Sequence, residues 1–200
     1  MVSNEEIKVT KRNGRGPESL NIDKIHSMVG FATEGITGVS ASHVEMNSGL
    51  QFFDGISTDD IQQILIKSAN DLISLESPNY QFVAARLLLF SLRKKLNHRL
   101  WEHPKFIDHI KKLIDLGLYD KGIIENYTEA EIDRMGMWID HERDYSFTYA
   151  GLRQVMDKYL VQDRSSGEIY ETPQFMYMMI SATLFAKYPT ESRLQYVKKY

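Results

Sequence analysis

The chain has 200 residues, of which 42% are hydrophobic and 26% are charged, with a formal net charge of −3. This is ordinary globular composition, and the slight acidity argues against a dominant nucleic-acid-binding surface. The absence of cysteine excludes disulfides, thiolate metal sites and thiol nucleophiles within the chain. No apolar run approaches the roughly 20 residues that span a bilayer, and no secretory signal is recognisable, so we expect a cytoplasmic protein.

The first element predicted from the sequence is a β-hairpin over IKVTKRNGRGPESLNI. Asn13 and Gly14 form a strong turn dipeptide, and the returning arm passes through Glu18. Asn21 is a typical N-cap of the helix that follows, and Gly35 is expected to end that helix. The apolar residues of the helix recur at helical spacing: Ile22, Ile25, Val29 and Phe31.

Three further helices are predicted in the first half. The second covers residues 42–50. The third begins at Ser57 or Thr58, and two aspartates follow in its first turn, where the helix dipole favours negative charge. The fourth starts at Pro78, which suits a first helical position. We therefore predict one compact unit over residues 5–96, built from a small β-element and about four helices.

The second half, residues 97–200, is also predicted to be mainly helical. Pro104 starts a helix that ends at Gly117, and Thr128 forms a capping box with Glu131.

The last part of the chain predicts a hairpin and two helices. The hairpin has Ser166 and Gly167 at its tip. The helix from Pro173 is apolar on nearly all sides, which predicts that it is fully buried. Thr190 is expected to cap the last helix, inside which the sequence stops. We expect that the chain was cut there or that another chain continues it.

Four residues near the hairpin and the first helix are candidates for binding an anion. Lys11 and Arg12 precede a glycine turn, and two cations beside backbone groups suit a triphosphate, although an exposed hairpin tip is the simpler alternative. Asn21 and Lys24 lie in the first turn of a helix, where free N–H groups attract anions. Lys24 opposes the helix dipole by about 0.3–1 kcal/mol unless an anion lies between them; the alternative is that it points into water.

Four other residues are candidates for contacts to a nucleotide. Glu18 can accept a hydrogen bond from a ribose hydroxyl or an adenine amine, and Thr58 offers a hydroxyl at a helix start. Phe90 and Lys94 are four residues apart, so they share a helix face and can line a base and a phosphate. The alternatives are a surface glutamate, a plain N-cap, and a core phenylalanine followed by a lysine that suits the helix C-terminus. For Phe90 and Lys94 the spacing alone favours these alternatives.

The remaining polar residues do not predict a catalytic centre. None of the histidines has the spacing of a metalloprotease helix, and no phosphate-binding Gly-x-x-x-x-Gly-Lys loop is present. The run from Asp140 to Asp144 is interpreted as a solvated polar turn. We therefore expect no catalytic residue and no metal site in this chain.

Several separated segments together resemble a known family. VTKRNG with LNIDKI, DGISTDDI and YQFVAARLLLFSLRK occur in the order and at the spacing of the ATP-cone at the amino terminus of class I ribonucleotide reductase large subunits. HERDYSFTYAGLRQVMDKYLVQDRSSGEIYETPQFMYMMISATLF and RLQYVKKY resemble the helical segment before the ten-stranded catalytic barrel of that subunit. The implied fold is mainly α: a β-hairpin plus four-helix ATP-cone over 5–96, then a helical domain over 97–200, without the barrel.

The resemblance also implies a function. The intact enzyme reduces ribonucleoside diphosphates to deoxyribonucleotides, and its cone binds ATP or dATP, with Mg²⁺, as allosteric effectors. The implied partners are the remainder of the large subunit with the catalytic cysteines and a radical-generating small subunit, within an oligomer. Nucleic acid, a membrane and a redox cofactor in this chain are not implied. The family's nucleotide contacts fall on Lys11, Arg12, Glu18, Asn21, Lys24, Thr58, Gln62, Phe90 and Lys94.

Two positions depart from well-regulated relatives. Gln62 stands where such relatives have a histidine, and Ser91 stands where close relatives often have one. Because glutamine carries no charge, we expect weak inhibition by dATP. We also expect Lys11, Lys24 and Lys94 to face one common hollow.

The sequence leaves several alternatives open. The chain is either a fragment or the first part of a large subunit divided between two polypeptides. A stand-alone ATP-cone module that senses nucleotides without catalysis is the alternative function. A cone-bearing transcriptional regulator is disfavoured because such regulators carry a cysteine-rich zinc ribbon, and a purely structural helical adaptor would make the cone motifs coincidental.

Overall fold

A computed structural model of the protein describes residues 7–10, 17–49, 51–97 and 100–200. These residues form two compact units. The first contains the described residues up to Ser91 together with Tyr145–Leu152, and the second contains Leu92–Asp144 together with Arg153–Tyr200. The division into domains at 5–96 and 97–200 stays a prediction. None of the described helices combines the length and apolar character needed to cross a membrane.

The first unit opens on a three-stranded sheet in the order β2-β1-β3. The central strand pairs antiparallel with β2, where Val9 lies opposite Glu18, and parallel with β3, where Val9 lies opposite Ile56. The predicted pairing of two antiparallel arms is confirmed, but the third strand was not predicted, because two residues are too few to show an alternating pattern. The strands are β1 (Lys8–Thr10), β2 (Glu18–Ser19) and β3 (Ile56–Ser57).

Four helices accompany this sheet in the first half of the chain, as the sequence predicts. Ile25 and Val29 of α1 are buried, but Ile22 and Phe31 are 70% and 49% exposed, so their predicted place on the buried face is wrong. Ile22 is the first helical residue, at the margin of the packed stripe, and Phe31 lies off that stripe, which continues through Ala32. The helices are α1 (Ile22–Thr33), α2 (Ala41–Gly49), α3 (Thr58–Asp71) and α4 (Tyr80–Asn97).

The middle of α4 is buried on most of its sides, which makes it the centre of the first unit. The Tyr80 hydroxyl accepts a hydrogen bond from the Ser40 backbone N–H at 3.0 Å, and the Arg86 guanidinium donates to the Glu34 carbonyl at 2.6 Å. These bonds fix α4 to the segments before α2 and after α1. The buried apolar residues of α4 in this unit are Tyr80, Val83, Ala84, Ala85, Leu87, Leu88, Leu89 and Phe90.

The helices of the rest of the chain are short. The capping box of Thr128 and Glu131 is confirmed, since each side chain bonds the backbone N–H of the other residue. Thr190 is the first residue of its helix and does not cap it, because Pro189 takes the N-cap position. These elements are α5 (Phe106–Asp115), α6 (Gly122–Asn126), α7 (Glu129–Gly136), the 3₁₀-helix His141–Ser146, α8 (Tyr149–Lys158), α9 (Pro173–Phe185) and α10 (Thr190–Lys199).

One expectation for the second unit is confirmed and two need correction. The hairpin before α9 is present: Gln162 and Ile169 form an antiparallel bridge, and the Asp163 and Tyr170 N–H groups donate to the Glu168 and Val161 carbonyls on the opposite arm. The polar run ending at Asp144 is not a solvated turn, because Asp144 is buried beside Arg93. The helix α9 is not fully buried in this chain, since its outward face carries exposed apolar side chains. The core of this unit is centred on Phe106, Ile110, Ile132, Met135, Phe175 and Val197.

Candidate nucleotide-binding site

The parallel pairing of β1 and β3 defines one edge of the candidate site. Thr10 lies opposite Ser57, so the end of β1 lies beside the start of α3 at Thr58. Gly55, with a φ of +84°, turns the chain into β3 and donates its N–H to the Lys8 carbonyl at 2.9 Å. A left-handed φ of this kind favours glycine. Lys11 and Arg12, which follow Thr10 in the sequence, lie outside the described residues.

The start of α1 lies at the opposite end of β1. The Leu20 N–H bonds the Ile7 carbonyl at 2.8 Å, which places the first turn of α1 beside the beginning of that strand. Asn21 is the N-cap, as predicted: its side-chain oxygen accepts the Lys24 N–H at 3.0 Å. The side chains of Asn21, Lys24 and Glu18 are all exposed. They are therefore accessible to a ligand.

The start of α3 is capped by Ser57 and not by Thr58. The Ser57 hydroxyl accepts the Asp60 N–H at 3.0 Å and donates to the Asp60 carboxylate at 2.7 Å. Thr58 is the first helical residue and is half-buried. The cap therefore does not use the Thr58 hydroxyl. The sequence could not distinguish whether Ser57 or Thr58 caps the helix.

Gln62 and Phe90 lie inside the first unit. Gln62 is one turn after Thr58, is 4% exposed, and donates its amide to the Leu87 carbonyl of α4 at 2.9 Å. Phe90 is 1% exposed, and its ring meets Tyr145 edge-on with centroids 6.2 Å apart. Lys94 follows one turn later on α4 and is half-buried. Phe90 is therefore a core residue, which is the alternative that its spacing in the sequence favours.

The structure thus brings some of the predicted nucleotide-binding residues close together and leaves others apart. Thr58 and Gln62 lie one turn apart on α3, and the Gln62 amide connects α3 to α4 through its hydrogen bond to the Leu87 carbonyl. Glu18 lies on β2, the strand that pairs with β1. Lys24 lies at the far end of β1, and Lys94 belongs to the part of α4 assigned to the second unit. A common hollow for the predicted lysines stays a prediction.

Arg86 and Tyr145 support this region and were not predicted from the sequence. The Arg86 guanidinium lies 5.6 Å from the centre of the Tyr145 ring and donates to the Glu34 carbonyl. Burial lowers the pKa of Arg86, while Tyr145 and Glu34 oppose that shift. No local signal could have shown this contact, because Tyr145 lies more than 50 residues further along the chain.

The second unit contains a separate buried polar cluster. Asp144 lies 3.6 Å from Arg93 and accepts the Gln174 amide at 2.8 Å. Burial raises the pKa of Asp144 to about 6, against the opposing effects of Gln174 and Arg93. The His103 and His141 rings stack at 3.6 Å, and burial lowers their pKa values to about 4 and about 3, so both are neutral near pH 7.

A cavity of about 440 Å³ lies beside this cluster and is lined by His103, His109 and Glu171 among others. The Tyr119 hydroxyl bonds the Glu171 carboxylate, and burial raises the pKa of Glu171. In the described part of the chain, no group of three or more histidine, aspartate or glutamate side chains is arranged to hold a metal ion.

Comparison with known proteins identifies the class of both halves. Residues 7–95 match the family model of the ATP cone domain, and residues 145–200 match that of the ribonucleotide reductase all-alpha domain. The chain therefore combines an ATP cone with a ribonucleotide reductase helical domain.

The individual relatives are alpha subunits of ribonucleoside-diphosphate reductases. The chain is 49% identical over 197 residues to ribonucleoside-diphosphate reductase 1 subunit alpha of Escherichia coli and equally to the alpha subunit of Haemophilus influenzae; each match covers 98% of this chain and 26% of the relative. The alpha subunit of Enterobacteria phage T4 is 42% identical over 194 residues, which is 97% of this chain and 25% of that protein. The chain spans about a quarter of these curated relatives, at their amino-terminal part. These matches confirm the resemblance, seen in the sequence, to the amino-terminal part of ribonucleotide reductase large subunits.

Proposed function

We propose that this chain is the regulatory amino-terminal part of a ribonucleoside-diphosphate reductase large subunit. Its cone binds ATP and dATP with Mg²⁺ and so controls the reduction of ribonucleoside diphosphates to deoxyribonucleotides in the complete enzyme. The observation that carries this proposal is the ordered match of a cone and an all-alpha domain to alpha subunits along nearly the whole chain.

The start of α3 supplies part of a triphosphate site. Free N–H groups of a first helical turn attract anions, and the Thr58 hydroxyl is not used by the cap. The first turn of α3 also contains Asp59 and Asp60, which repel phosphate. Mg²⁺ and the cations Lys11 and Arg12 offset that repulsion in this proposal, which accounts for a Mg²⁺-nucleotide as the ligand.

The other candidate residues have distinct roles in the proposal. Glu18 accepts a hydrogen bond from the ribose or the adenine amine, and Lys24 contacts phosphate from the first turn of α1. Gln62 acts from below the site, because its buried amide fixes α3 to α4. Phe90 lies in the interior beneath the site, and Lys94 supplies a further cation one turn later on the same helix.

Calorimetric titration with ATP and dATP in the presence of Mg²⁺ tests this proposal. We expect saturable binding to the wild-type chain. Lys24→Ala and Lys94→Ala should each weaken binding at least tenfold, because hydrogen bonds to charged groups contribute about 1.5–3 kcal/mol. Lys67→Ala is the matched control, since Lys67 is an exposed lysine outside the proposed site that pairs with Asp71 at 2.8 Å. Absence of saturable binding to wild type would remove the regulatory claim.

The catalytic part must come from elsewhere in the enzyme, because this chain has no cysteine. We propose that the remainder of the large subunit supplies the catalytic cysteines, that a small beta subunit supplies the radical, and that both act within an oligomer. The same absence of cysteine favours the alternative of a nucleotide-sensing module without catalysis. Mixing this chain with the remainder and the small subunit distinguishes the two: only the first proposal predicts ATP-dependent reduction of a ribonucleoside diphosphate that requires this chain.

A further inference from the structure

The helix α9 has two opposite apolar faces. Its 13 residues, Pro173–Phe185, include no charged side chain. At 100° per residue, the face that packs into the second unit and the face that points outward lie roughly 180° apart. The buried face carries Phe175 and Ala182. The outward face carries Tyr177, Ile180 and Leu184, which are 44%, 41% and 55% exposed, and these three residues are called the α9 stripe.

The apolar surface continues onto α10. The centre of the Phe185 ring lies 5.1 Å from that of Tyr188, 5.6 Å from that of Tyr196 and 6.0 Å from that of Tyr200. Tyr188, Tyr196 and Tyr200 are themselves 45%, 44% and 72% exposed. Aromatic side chains are enriched at the centre of protein interfaces and charged residues are depleted there, and α9 itself carries no charge.

We propose that the α9 stripe and these neighbouring tyrosines are the docking surface for the remainder of the large subunit, on the same or on a separate polypeptide. This inference rests on the proposed function. The relatives identify the occupant: the chain covers only 26% of their length, so nearly three-quarters of each subunit lies beyond the matched part. The all-alpha match includes both α9 and α10, at the carboxyl-terminal end of that matched part.

The physical reason is the composition of α9. A helix that is apolar all round is buried on all sides in a stable protein, and large exposed apolar patches mark interaction sites. Within the second unit only one face of α9 is covered. The remainder of the subunit covers the other face and thereby completes the burial that the sequence of α9 predicts.

Thiol labelling tests the docking surface directly, because the chain has no cysteine of its own. Leu184→Cys places a thiol in the α9 stripe. Leu75→Cys is the matched control, since Leu75 is 96% exposed and lies in the first unit between α3 and α4. Each variant is labelled with a maleimide, alone and with excess polypeptide comprising the part of the large subunit that follows this segment, and the modified chain is read by mass spectrometry.

We expect the remainder to slow labelling of Leu184→Cys at least tenfold and to leave Leu75→Cys unchanged. Equal labelling of Leu184→Cys with and without the remainder would overturn the proposal. Protection of Leu184→Cys that grows with the concentration of this chain alone would also overturn it, because a second copy would then cover the stripe.

A charge in the stripe provides an independent check. Ile180→Lys should weaken binding of the remainder at least tenfold while the ATP titration stays as in wild type. ATP binding without protection of Leu184→Cys would show that the docking surface is wrong and the nucleotide proposal stands. Protection without ATP binding would show the reverse.

Discussion

Glu131→Gln is expected to destabilise the second unit by about 3 kcal/mol by leaving a buried arginine unpaired. The Arg193 Nη2 donates to both carboxylate oxygens of Glu131, Oε1 at 2.8 Å and Oε2 at 2.7 Å. The Arg193 Nε donates to Oε1 at 3.0 Å. The side chains of Arg193 and Glu131 are only 9% and 14% exposed. This bidentate pair connects α10 to the start of α7.

The magnitude follows from two opposing effects. At 2.7 Å and an effective dielectric constant of about 20, the attraction is about 6 kcal/mol. Desolvation of the two ions offsets part of it, which leaves about 3 kcal/mol, at the lower end of the range for breaking a buried pair. Burial alone would raise the pKa of Glu131, but hydrogen bonds from Arg193 and Thr128 bring it below its ordinary value. Glutamine can still complete the capping box with Thr128, so the substitution removes mainly the charge.

Urea unfolding followed by tryptophan fluorescence measures this effect. Both tryptophans of the chain, Trp101 and Trp138, belong to the second unit, and the Lys198 ammonium lies 5.3 Å from the Trp138 ring centre. With a slope of about 1–3 kcal/mol per molar urea, a loss of about 3 kcal/mol should lower the midpoint by about 1–3 M. Glu129→Gln is the control on the same helix: Glu129 is 72% exposed, so its pair with Lys111 should contribute no measurable shift. Equal midpoints for the two variants would refute the reasoning.

Three further outcomes are expected. Ser57→Ala should lower the stability of the first unit by about 1 kcal/mol through loss of the cap, with little effect on ATP affinity. Thr58→Ala should instead weaken ATP binding with little loss of stability. Melting curves and ATP titrations that change in the same way for both variants would contradict these separate roles. Burial, with a smaller effect of Lys112, lowers the pKa of His109 from 6.5 to about 4, so the unfolded chain takes up the proton first and stability is lost as the pH falls between these values. The advantage of wild type over His109→Phe should therefore shrink by at most about 3 kcal/mol from pH 6.5 to 4 in urea titrations, and a constant difference would argue against a neutral buried imidazole. In the reconstituted enzyme, Gln62→His should strengthen inhibition by dATP, and equally strong inhibition of both forms would show that the histidine is dispensable.

The elements that could be predicted from the sequence depend on local contacts. The cap at Asn21 and the capping box at Thr128 each involve a residue three positions away, so the sequence contains both partners in one short window. The buried pair of Arg93 and Asp144 joins residues about 50 positions apart, and no window of local sequence shows it. The run around Asp144 therefore looks like a solvated turn until the tertiary structure supplies its partner.

The candidate site shows the same limit. The residue types and their order predict which helix starts contribute, but spacing cannot show that Gln62 is turned inward to the Leu87 carbonyl. It also cannot show that Ser57 takes the cap and leaves Thr58 for another partner. The composition of α9 predicts burial, whereas the structure shows that its second face is uncovered within this chain.

The most direct test of the central claim is the position of bound nucleotide, determined by a crystal structure of this chain with Mg²⁺ and ATP. The account predicts the triphosphate at the sheet edge, in contact with the start of α3 at Thr58 and with the Lys24 ammonium. A nucleotide bound away from the start of α3, or a cone that excludes ATP at saturating concentration, would contradict it.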